Sequence, residues 1–146
     1  MNLLFEPVHT VDDFYDGPLS GVADFPGRLH FYLYTREDDE AYERGERWFE
    51  LSPISSHARD LAVEAFHIWQ RWQVATFAGT APEVADGAPG VLPEDRSRYA
   101  ELKTALDQLL VIDPVHRILM RGEFAGRSPT ARPLRGLTVC WTPIDH

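Results

Sequence analysis

Apolar and polar positions alternate through Leu29-His30-Phe31-Tyr32-Leu33-Tyr34, the period-two pattern of a strand. Leu29, Phe31 and Leu33 take one face, and His30, Tyr32 and Tyr34 take the other. Gly21 to Phe25 reads as a partner strand. Pro26-Gly27 between them is a type II turn signal, because proline presets the first central φ and glycine accepts the positive φ at the second. Arg47 to Ser52 gives a third strand, ended by Pro53. The period then lengthens. Ser55 or Ser56 caps a long helix running to about Ala78, before Gly79. Leu61, Ile68, Trp69 and Trp72 share one of its faces, so both tryptophans are expected to be mostly buried between helix and sheet.

A second helix opens at Pro93, where a missing N–H is tolerated, with Glu94 and Asp95 favourable to the dipole. Tyr99, Leu102, Leu106 and Leu109 form its apolar stripe, and Asp113-Pro114 stops it. Residues 80–91 carry Pro82, Gly87, Pro89 and Gly90 and predict a mobile loop. Strands from His116 to Phe124 and from Leu137 to Trp141 close the chain, around a turn through Pro129 and Pro133. The expected class is α+β in the order β-β-β-α-α-β-β. It is a single antiparallel sheet of about five strands with two helices packed on one face. The 146 residues suit one domain, 1–146.

Charge changes the picture more than composition does. Lys and Arg total 14 against 23 Asp and Glu, a net charge of −9. Such a balance repels duplex DNA and anionic membranes, so nucleic acid is an unfavoured partner. The acids crowd into Glu37-Asp38-Asp39-Glu40 and continue through Glu43, Glu46 and Glu50. The segment Glu37–Glu46 is expected to be an exposed loop. Bases run through Arg117, Arg121, Arg127, Arg132 and Arg135. Cys140 is the single cysteine, which suits a packed thiol and a reducing compartment. The N-terminal residues lack a basic region followed by an apolar run, and no membrane span is legible, so the expected location is cytoplasmic.

Tyr15-Asp16-Gly17-Pro18, then Gly21, Ala23, Gly27, His30 and Tyr32, form one recognisable opening. Ile68-Trp69-Gln70-Arg71-Trp72 followed by Leu92-Pro93-Glu94-Asp95-Arg96 forms another segment of the same kind. In both the chain resembles a family of small uncharacterised bacterial proteins, over most of its length up to about Asp113. That resemblance implies a single bacterial domain and carries no activity.

Two constellations could carry chemistry. His57, Asp60, Glu64 and His67 share one stripe of the first helix, extended by Arg71, and Glu64 to His67 has the Glu-x-x-His spacing of di-iron bundles. Those sites need a second copy, which the second helix, bearing Glu94, Asp95, Glu101 and Asp107 without histidine, does not supply; no metal and no other cofactor is expected. His30, Tyr32 and Tyr34 could form an interface shelf, or a second core under an N-terminal segment that must bury Phe5, Phe14 and Tyr15. Asp12, Asp13 and Asp16 could offer oxygens to a cation but lack the spacing of a calcium loop. Nucleophile-elbow, phosphate-loop and dinucleotide signatures are absent from the sequence.

The expected function is therefore a non-catalytic, acidic, immunity-like binding protein acting on a basic protein partner, through His30, Tyr32, Tyr34, Glu37, Asp38, Asp39 and Glu40. The alternatives are a small enzyme using histidines and carboxylates of the first helix and the hairpin, and a ligand-binding domain with its pocket between sheet and helices.

Overall fold

The computed structural model describes residues 4–14, 17–82, 90–126 and 137–144. Its strands are β1 (Phe5–Pro7), β2 (Asp13–Phe14), β3 (Pro18–Asp24), β4 (Leu29–Thr35), β5 (Trp48–Pro53), β6 (Ile118–Ala125) and β7 (Thr138–Pro143). The helices are α1 (Asp39–Glu43), α2 (Ser56–Phe77) and α3 (Arg96–Leu109), the last entered through a 3₁₀ turn at Pro93–Asp95. Ser55 accepts from the Ala58 N–H and caps α2, as its position before the helical pattern predicts. Gly27 takes a φ of +69° in the β3–β4 turn, the conformation its type II reading requires.

The strands form one antiparallel sheet in the order β1-β7-β6-β5-β4-β3-β2. The expected five-stranded sheet with two helices is thus corrected, among the described residues, to seven strands curled into a half-barrel, with three helices. The curl comes from the N-terminal segment. Phe5–Pro7 pairs with β7, and a few residues later Val8 bridges to Ala23 of β3. His9 and Thr10 then donate to the Val22 carbonyl, and Asp12 donates to that of Ser20. One short stretch of chain therefore reaches both edges of the sheet, so the sheet must bend round to meet it. These pieces are three and two residues long around Pro7 and show no alternation, so no period announces them.

The concave face is an aromatic core. Tyr32 of β4 touches Trp141 of β7 at 6.0 Å between ring centroids, although β5 and β6 lie between their strands. Only the inside of a curl permits that contact. Phe49, 0% exposed, sits at its centre with Tyr32, Tyr34, Phe124 and Trp141 around it. The opposite face meets the helices: Val22 packs with Ala62, Ala65 and Ile68 of α2 and Leu102 and Leu106 of α3.

Alanines decide how α2 docks. Ala58, Ala62 and Ala65, with Ile68, occupy its buried stripe, which leaves Trp69 and Trp72 on the flanks. Both are mostly buried, as expected, but at the edges of the helix–sheet contact rather than between the two layers. Trp72 lies against Gly90, with ring atoms 3.1 Å from where a Cβ would stand. Trp72→Ala should therefore cost about 2 kcal/mol, below the roughly 3–5 kcal/mol of a fully buried aromatic. Urea unfolding of the variant and its parent checks the value.

Candidate functional site

The sequence Thr10-Val11-Asp12-Asp13-Phe14 becomes a wall because Thr10 is anchored from several sides. It is fully buried, its hydroxyl oxygen accepts from the Val22 N–H at 3.0 Å, and its carbonyl accepts from the Tyr32 hydroxyl at 2.9 Å. Its hydroxyl hydrogen is left for the Asp12 carboxylate. This segment faces α2 and α3 across a cleft of about 500 Å³. From α2 come Ala65, Phe66 and Trp69, the two rings stacked at 5.8 Å and 14°. Tyr99, Lys103, Leu106 and Asp107 come from α3 at i, i+4, i+7 and i+8, one helical face, and its C-cap Leu110 continues it. Ser20 and Phe31 of the sheet form the floor.

The charged groups facing this space are Asp12, Asp13, Lys103 and Asp107. Among the described residues none of the four makes an ion pair within 4 Å. Asp12 is exposed at the mouth of the cleft, with neighbouring protein close enough to weaken the hydration of its carboxylate. Loss of hydration pushes its pKa up to about 6, against the Thr10 hydrogen bond and the Lys103 charge, while Asp13 adds to the rise. A raised carboxylate makes the folded state bind the extra proton. The Asp12 contribution to stability thus grows as pH falls from about 6 towards the ordinary value of 3.8, and is lost at higher pH. Asp12→Asn should be more stable than its parent at pH 8, with the advantage fading below pH 6; thermal melts across that range check the sign.

The residues singled out from sequence lie elsewhere. His30 and Tyr32 are buried on the concave side, with His30 Nδ1 at 3.0 Å from the Arg28 carbonyl, and Tyr34 is half-buried beside Phe49. They belong to the aromatic core inside the curl; Phe5 and Phe14, expected to bury there, are exposed, and Tyr15 lies outside the described residues. The acidic segment is not simply a loop: Asp38 caps α1 by accepting from the Glu40 and Ala41 N–H groups, and Ala41 is buried. Glu37 and Glu50 both bind Arg117, and Glu46 binds Arg44 and lies 3.5 Å from Arg121. The acidic run is thus partly matched, by Arg44, Arg117 and Arg121, while Asp39, Glu40 and Glu43 remain exposed. Arg127, Arg132 and Arg135, the Pro129–Pro133 turn and residues 83–89 lie outside the described residues.

On α2, Glu64 is taken by Arg98 in a bidentate pair at 2.6 and 2.7 Å, which lowers its pKa, and Asp60 pairs with Arg59. His57 and His67 are exposed, and among the described residues no three His, Cys, Asp or Glu side chains converge as a metal site. Cys140 is buried. No described helix is long and apolar enough to cross a membrane.

Sequence reasoning offered a pocket between sheet and helices as an alternative, but did not identify the residues that line it. Asp12 and Asp13 stood out only as oxygen donors, and Lys103, the one lysine, carried no spacing that set it apart. The α3 stripe was the available signal, since its apolar positions are interrupted by a lysine and an aspartate on the same face. No family model matches the chain, nor does any curated protein or solved structure.

Proposed function

We propose that the protein is a non-catalytic binding protein whose ligand is a small molecule with an apolar body, seated in the cleft between residues 10–14, α2 and α3. The cleft itself carries the reading: about 500 Å³, walled by the Phe66–Trp69 stack, Phe31 and Tyr99, with a few polar groups among apolar ones. That is the composition and size of small-molecule sites. The enzyme alternative gains little support, since His30 packs inside the curl while His67 is exposed on α2.

An acidic surface that steers a basic protein partner is the second reading. The net charge of −9 and the exposed Asp39 and Glu40 favour it, although Glu37, Glu46 and Glu50 are already engaged by arginines.

The test is an NMR titration with 2-phenylethanol, a neutral apolar probe. Saturable shifts are expected at the Trp69 indole N–H and the Phe66 amide, with Kd on the order of 1 mM, as suits so small a ligand. Trp69→Ala should abolish saturation. Shifts that never saturate, or that survive unchanged in Trp69→Ala, would overturn the reading.

A further inference from the structure

We infer that the ligand of this cleft is an organic cation, an amine attached to an aromatic or aliphatic body. The inference rests on the cleft reading above and adds the charge. Three carboxylates, Asp12, Asp13 and Asp107, face the space against the single ammonium of Lys103. A neutral or anionic ligand would leave them uncompensated, whereas a cation meets complementary charge beside aromatic faces that also favour it.

Three features separate this from an ordinary acidic patch. The carboxylates line a defined cavity rather than a convex surface, and none is committed to an ion pair among the described residues. The apolar wall beside them is large: Phe66 and Trp69 stack, and Tyr99 and Phe31 extend it. Asp12 is held there by the buried Thr10 clasp rather than by a free loop. The other titratable groups near it are the Tyr99 phenol and the buried Tyr32 phenol of β4, whose pKa burial pushes up; Ala65, Phe66 and Trp69 of α2 and Ser20 and Phe31 of the sheet carry no charge. A cation set beside Asp12 would favour its ionised form, so binding should draw the Asp12 midpoint down from about 6, and a neutral ligand should leave it in place.

The experiment compares 2-phenylethanol, 2-phenylethylammonium and 3-phenylpropanoate on the same protein at pH 7.5 and low salt, with the Asp12 carboxyl carbon followed by NMR. The amine should bind about 10-fold tighter than the alcohol, and the carboxylate should bind at least as much weaker. Asp12→Asn combined with Asp107→Asn should erase most of the preference for the amine over the alcohol. An amine no tighter than the alcohol, while the alcohol saturates, would overturn the cation assignment and leave the cleft reading standing. If none of the three saturates, the cleft reading itself falls. An amine bound equally well by Trp69→Ala is held by charge alone, which also overturns the assignment.

Discussion

Phe49→Ala is expected to lose about 4 kcal/mol of stability, a large share of the roughly 5–15 kcal/mol that separates folded from unfolded states. Phe49 is 0% exposed, and its ring contacts Tyr32 at 5.9 Å, Phe124 at 5.6 Å and Trp141 at 5.6 Å. Those partners come from β4, β6 and β7, so the ring ties both sides of the curl together at its middle. Truncation removes the transfer energy of the ring and opens a cavity that flanking aromatics, themselves held by strand register, cannot collapse to fill. Phe49→Leu keeps most of the volume and should cost nearer 1–1.5 kcal/mol. Urea midpoints of the two variants provide the comparison. A loss below about 1.5 kcal/mol for Phe49→Ala would mean that the concave core is loosely packed.

That core also marks the boundary of what the sequence made legible. The alternation in β4 assigns each residue to its face: Leu29 packs towards the helices, Phe31 floors the cleft, and Tyr32 and Tyr34 turn the other way. Periodicity fixes parity along one strand, but it does not say what covers the far face. Here the cover is the same sheet bent round, and the bend depends on Val8 and Thr10 reaching β3 through backbone hydrogen bonds that any sequence could make. For the same reason the acidic run looked unpartnered. Two of its arginines, Arg117 just before β6 and Arg121 within it, arrive beside β5 in the sheet but about seventy residues away in the chain, as in the Glu50–Arg117 pair. The helices were legible because their caps and stripes are local. The lining of the cleft was not, since it needs α2, α3 and an aperiodic N-terminal segment to meet.

Gly21→Ala tests the joint that brings them together and should cost about 4 kcal/mol or more. A Cβ on Gly21 would stand 2.2 Å from the Thr10 carbonyl oxygen and 2.7 Å from the Tyr32 hydroxyl. The second contact could yield by side-chain motion, but the first is backbone. Either β3 moves or the N-terminal segment lifts off it, breaking the Tyr32–Thr10 hydrogen bond and the Val22 N–H bond to the Thr10 hydroxyl. Overpacking of this kind costs roughly 1–3 kcal/mol, and each buried hydrogen bond lost adds about 1 kcal/mol. Asp12 rides on the same segment, so the variant should also lose saturable binding of 2-phenylethanol, although Gly21 does not line the cleft. Tyr32→Phe separates the two contacts. Alone it should cost about 1 kcal/mol through the lost hydroxyl bond, and in the Gly21→Ala background it should cost less, because the clashing oxygen is gone. Amide shifts of residues 8–14 report whether the segment has moved. If Gly21→Ala stays within about 1 kcal/mol of its parent and those shifts are unchanged, the segment is not clamped to β3 and the wall of the cleft has another support.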